Sequence, residues 1–238
     1  LDKRFLDIDG RSIHCRQVGP AETVGPRGPR PVLVFPPAPR SGLQSEPLLA
    51  SFAYEERAVA VDLPGLGESW RPPESLPVGA HVRVALALIQ ALGWPTCQVV
   101  GEGVGAAVAI EFALSHAERV ERVALIDPPL VGGASPAGSW PPAPRPDGSH
   151  WLEIWNRPTL AGCSPEERLD VLIDLYRGGA EAARVTSLLG AYPFAAALAR
   201  VSQPLEVFEA SGGGLDFAAL HEFLRGGAAG AGTGGGRP

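Results

Sequence analysis

Methionine is absent from the 238 residues and lysine is nearly so, with Lys3 standing against an abundance of Arg, Ala, Gly and Pro, a bias of the kind a GC-rich genome produces. Three cysteines, Cys15, Cys97 and Cys163, are odd in number and lack C-x-x-C spacing. That argues against a disulfide framework and against a zinc site, and reduced thiols are expected. Nothing in the pattern asks for a metal or an organic cofactor. No apolar run approaches the ~20 residues of a membrane span, and no leader is visible from Leu1, so a cytoplasmic location is expected. Clusters of Lys and Arg are missing too. With a net charge of -6 and a pI near 5.4, neither nucleic acid nor an anionic membrane is an expected partner.

What is there suits one packed α/β domain with a small helical insertion: 45% of the residues are hydrophobic, in a chain long enough to bury a core. Residues 4–18 alternate about Asp9-Gly10, which predicts a hairpin. After a Pro/Gly loop over 20–30, the apolar runs 31–35 and 57–62 read as buried parallel strands. A helix is predicted over 43–52. Another, over 78–92, has apolar residues at helical spacing, with His81 at its start taken as an exposed residue.

The stretch around which the chain is organised is Cys97-Gln98-Val99-Val100-Gly101-Glu102-Gly103-Val104-Gly105, followed by the helix-forming run 106–114. Strand, glycine-rich turn and helix in this order resemble the G-x-S-x-G nucleophile elbow of α/β-hydrolases. Upstream, Asp62-Leu63-Pro64-Gly65-Leu66-Gly67-Glu68-Ser69 is similar to the D-x-P-G-x-G-x-S loop of that family, and 115–127 matches its helix end and sixth strand. The resemblance runs from Arg4 to Pro129. It implies an α/β-hydrolase fold: a mostly parallel sheet flanked by helices, with a small helical cap. Yet Gly103 stands where the nucleophile belongs, so the position is vacant and this turn cannot form an acyl-enzyme through its own side chain. The loop Pro36-Pro37-Ala38-Pro39-Arg40 sits where the family donates one oxyanion-hole N–H; Ala38 aligns with the donor and Val104 supplies the other. A rigid Pro-rich cover over the sheet is the plainer alternative.

Composition turns to Gly, Pro, Ala and Ser over 130–146, and helices are then predicted over 149–155, 164–176 and 181–189. Ser164 with Glu167 makes a capping box, with Pro165 at the first helical position. By the resemblance, 133–200 forms the cap and 1–132 with 201–225 the core. Trp140, His150, Trp151, Trp155, Tyr192 and Phe194 make the cap rich in aromatics, suited either to a planar ligand or to fastening helices. His150, Trp151 and Trp155 are the substrate-binding candidates. Residues 200–210 resemble the seventh strand and Asp216 aligns with the triad acid, but the eighth strand and the triad-histidine turn are missing. The C-terminal end is thus truncated, His221 falls inside the last helix, and 226–238 is a Gly-rich tail expected to be disordered.

A vacated elbow together with a deleted histidine turn points to a change of role. One expectation is an acyltransferase that passes an acyl group from a carrier-protein thioester directly to a thiol or amine, the acceptor being a small molecule or a peptide. Glu102, beside the elbow tip, and Asp127, at the end of the sixth strand, are its candidate bases. The resemblance extends to the acyl-transfer proteins of peptide natural-product pathways, including the indolyl-transferring member of nosiheptide-type thiopeptide clusters. The other expectation is a pseudo-hydrolase that binds or scaffolds without chemistry. Pairing of two chains through the cap stays open.

Overall fold

Asp9 and Gly10 both take positive φ, 53° and 74°, as a two-residue hairpin turn requires, and they join β1 (Asp2–Ile8) to β2 (Arg11–Val18) in an antiparallel pair. The computed structural model describes residues 1–19, 30–52, 56–74, 76–129, 141–210 and 214–226. The loop expected over 20–30 lies almost wholly outside the described residues, as do most of the linker over 130–146 with Trp140, the turn at 211–213, and the tail beyond Gly226.

The apolar runs become β3 (Val32–Phe35), β4 (Ala58–Val61), β5 (Cys97–Glu102), β6 (Val120–Ile126) and β7 (Leu205–Phe208). Together with the hairpin they form a seven-stranded sheet in the order β1-β2-β4-β3-β5-β6-β7, parallel from β4 to β7. β3 and β4 are buried along their whole length, because helices cover both faces. Leu33, Phe35, Val59, Val61 and Val99 face one side, against α2 (Val78–Ala91) and α3 (Ala106–Ser115). Val32, Val34, Ala58, Ala60 and Val100 face the other, against α1 (Glu46–Phe52) and α8 (Phe217–Leu224).

Between β6 and β7 come α4 (Ser149–Trp155), α5 (Pro165–Arg177), α6 (Gly179–Gly190) and α7 (Phe194–Leu198). The capping box forms at α5: Glu167 N donates to Ser164 Oγ at 3.2 Å, and Ser164 N to Glu167 Oε2 at 2.7 Å. Ile154, Leu172 and Leu175 make a small core of their own under α4 and α5. Ala182, Val185 and Leu189 of α6 and Phe194 and Ala197 of α7 instead join the main core.

Three local expectations are corrected. His81 is fully buried, not exposed, and burial pushes its pKa down to about 4. Asp216 caps α8, its carboxylate accepting the Ala219 N–H at 3.0 Å, so it serves a helix end in place of a triad. The helix expected from residue 43 begins at Glu46, after two turns closed by Gln44 N→Ser41 O and Glu46 N→Leu43 O. His221 lies inside α8, stacked on Phe52 with ring centroids 4.5 Å apart and 3.0 Å from Ser51 Oγ.

The loop after β4 is held by the buried carboxylate of Asp62, which accepts from Gly42 N at 2.8 Å and Glu68 N at 2.9 Å and pairs with His14 Nδ1 at 2.8 Å. One side chain therefore ties three segments of the sheet edge. Asp62→Ala leaves these groups buried without an acceptor, and a loss of about 3 kcal/mol or more is expected in urea unfolding. A loss below about 1 kcal/mol would show that the hub is dispensable.

Candidate active site

β3 lies between β4 and β5, so the chain leaves β3 toward one side of the sheet and later returns on the other. In open α/β sheets the crevice at such a reversal, beyond the strand C-termini, is where ligands bind. Two loops meet there: residues 36–40 after β3, and the turn Glu102-Gly103-Val104-Gly105 after β5.

Their approach depends on glycine. A Cβ at Gly101 would stand 2.6 Å from Ala106 Cα, and one at Gly105 would stand 2.4 Å from Pro36 O and 2.5 Å from Phe35 O. Gly103 has φ +52°, and a Cβ there would meet Pro37 Cβ at 3.3 Å. The elbow therefore keeps its geometry, left-handed tip included, with no side chain at that tip. Ala38 and Val104 are both partly buried against the main core, on the two loops that converge here.

Glu102 ends β5 and is the residue before the tip. Its carboxylate accepts a hydrogen bond from the buried Ser45 Oγ and lies within the field of Arg40. Burial nonetheless dominates and raises its pKa from 4.5 to about 7. Arg40 in turn donates through Nε to Asp174 Oδ2 of α5 at 3.3 Å, its guanidinium pKa lowered by burial against the pull of that carboxylate. Asp174 is fully buried and also accepts from Ser41 N at 3.0 Å and from Ser41 Oγ. The loop after β3 is thus bolted to α5, and the bolt sits beside Glu102.

Between that loop and α4–α5 lies a cavity of about 350 Å3, with Arg40 on one side and Ile154, Leu160, Val171 and Leu175 forming an apolar wall. The other candidates are placed as follows. Asp127 is exposed, with φ 46°, and its carboxylate accepts the Ala210 N–H at 3.0 Å while its own N–H donates to Phe208 O at 2.9 Å, tying β6 to the end of β7. His150 is buried within the cap, where Nδ1 accepts the Arg145 N–H at 3.0 Å and the ring stands edge-on to Trp151 and Tyr176. Trp151 stacks on Tyr176 at 5.8 Å and is partly exposed; Trp155 packs on the small α4–α5 core, with Arg168 over its ring. From α4 it is Ile154 that reaches the cavity wall. Tyr192 and Phe194 fasten the end of the insertion to the main core, Tyr192 donating to Glu111 Oε2 at 2.9 Å. Among the described residues no group of three or more His, Cys, Asp or Glu is placed to hold a metal ion, and no helix is long and apolar enough to cross a membrane.

The alpha/beta hydrolase fold family matches residues 31–215, which take in the parallel strands, the glycine turn after β5 and the helices between β6 and β7. The chain belongs to this family. Among solved structures, a probable hydrolytic enzyme from Pseudomonas aeruginosa PAO1 is similar with TM-score 0.62 at 20% identity, covering 87% of this chain and 72% of that one. The enol-lactonase from Burkholderia xenovorans LB400 gives TM-score 0.67 at 18% identity, over 87% and 81%. An alpha/beta hydrolase from a Medee basin deep-sea metagenome library gives 0.63 at 17%, over 86% and 78%. Identities this low carry the fold alone.

Two outcomes test the geometry. Gly103→Ala is expected to cost about 1–2 kcal/mol, for an L-residue at positive φ, whereas Gly105→Ala forces a Cβ into two carbonyls and is expected to cost about 3 kcal/mol or more, both read by urea unfolding. The raised pKa of Glu102 means that the folded chain binds more protons than the unfolded one between pH 4.5 and about 7, so stability falls as pH rises through that window. Glu102→Gln is therefore expected to match the parent near pH 4.5 and to exceed it by up to about 3 kcal/mol at pH 8. Parallel stability–pH curves for the two would contradict a buried Glu102 carboxyl.

Proposed function

We propose that this α/β-hydrolase-fold chain is an acyltransferase that moves an acyl group directly from a carrier-borne thioester to an acceptor thiol or amine, without an acyl-enzyme. A single observation carries the reading: the elbow tip has no side chain, while the neighbouring Glu102 is a partly buried carboxyl whose desolvation raises its pKa to about 7. A reaction whose acceptor is itself a good nucleophile needs a base, an oxyanion site and exclusion of water, and no serine.

The Glu102 carboxylate takes the proton of the acceptor S–H or N–H as sulfur or nitrogen attacks the thioester carbonyl. The oxyanion that forms is met by the N–H groups of Ala38 and Val104. Collapse breaks the C–S bond, and the departing thiolate recovers the proton from Glu102. Asp127 is not needed, since its carboxylate is engaged by Ala210 and open to solvent. The cap, bolted down through Asp174, keeps water from competing with the acceptor. An aromatic acyl group and a peptide acceptor of secondary metabolism are the substrates that the natural-product resemblance suggests.

Aryl thioesters of N-acetylcysteamine, incubated with a thiol or amine acceptor and followed by mass spectrometry, test this. The acylated acceptor is expected, with no mass added to the protein and a rate that rises with pH through about 7. Glu102→Gln is expected to lower the rate roughly 100-fold or more. Free acid as the main product would make the chain a hydrolase; ligand binding with no product would make it a binding or scaffolding protein.

A further inference from the structure

The cavity has a polar corner that the proposed chemistry leaves unused. Gln44 lines it, and Gln44 Oε1 is buried without a partner. Arg40 lines the same cavity, and among the described residues the one hydrogen bond its guanidinium donates is through Nε to Asp174. Asp174 shares its charge with two donors from Ser41, and Glu102, the other carboxyl facing Arg40, is largely neutral below pH 7, which leaves Arg40 incompletely neutralised there. Opposite this corner the surface is aliphatic.

An unmatched buried acceptor asks for a donor, and a part-buried guanidinium asks for an anion. We propose that the cavity binds an aliphatic carboxylate bearing a hydroxyl or amide N–H beside the carboxylate. The carboxylate pairs with Arg40, the neighbouring donor satisfies Gln44 Oε1, and the chain lies along Ile154, Leu160, Val171 and Leu175. A volume of about 350 Å3 is at the small end of small-molecule pockets and suits a medium-length chain. This deepens the acyl-transfer reading and rests on this cleft being the working site: one of the two substrates carries such an anionic head.

Isothermal titration at pH 6, where Glu102 is largely neutral and the two acids are ionised, with 2-hydroxyoctanoate, octanoate and 2-hydroxyoctanamide reads binding with no turnover, so its failure and the failure of acyl transfer are separate results. Saturable binding of 2-hydroxyoctanoate is expected. The neutral amide should bind at least about 10-fold more weakly, and octanoate roughly 3- to 10-fold more weakly. Gln44→Leu is expected to erase the preference for the hydroxy acid, and Val171→Trp, which fills the cavity, to abolish binding of all three while the far-UV spectrum is kept. The proposal is overturned if 2-hydroxyoctanoate does not bind, if the amide binds as well as the acid, if octanoate matches the hydroxy acid, or if binding survives in Val171→Trp.

Discussion

Missing side chains at Gly101 and Gly105 set how closely β5, α3 and the loop after β3 approach one another, and everything at the site depends on that approach. With hypothetical Cβ contacts of 2.4–2.6 Å to backbone atoms, neither position has room for a methyl group. The same closeness carries Pro37 to the tip of the turn and sets Glu102 among Ser45, Arg40 and the cap. Gly103 differs in kind. Its neighbour Pro37 leaves a Cβ almost enough room, so packing does not compel glycine there. The turn after β5 thus carries a left-handed tip with no side chain, between two glycines that packing does require.

Much of the fold was legible because its signals are local. Asp9-Gly10 marked the hairpin through φ preference, Ser164 and Glu167 marked a helix start through reciprocal hydrogen bonds, and the runs at 32–35 and 58–61 were too apolar for a sheet with an exposed face. A place in the first turn of α2 suggested exposure for His81, but its spacing to Ala85 and Leu88 puts it on the apolar face, and that spacing decides its burial. Nothing local marked Arg40 or Asp174. They lie 134 residues apart, and a carboxylate on an amphipathic helix looks solvated until the partner segment is known to pack on it. The helices between β6 and β7 pose a similar problem. An amphipathic helix shows that it buries a face without showing which core receives it, and α6 and α7 bury theirs in the main core.

Charge at the site is coupled across the cap. Burial favours the neutral form of Glu102, and Arg40 opposes burial by favouring the carboxylate; Asp174 decides how much of that opposition remains. Pulling α5 away would remove Asp174 from Arg40 and admit water to Glu102, lowering its pKa on both counts. With α5 packed against Arg40, burial prevails and the Glu102 carboxyl stands at about 7. An anion settling against Arg40 would push the same way, since it weakens the cation that favours the carboxylate. The packing of α5, the charge beside Arg40 and the basicity of Glu102 are coupled because all three act through a single guanidinium.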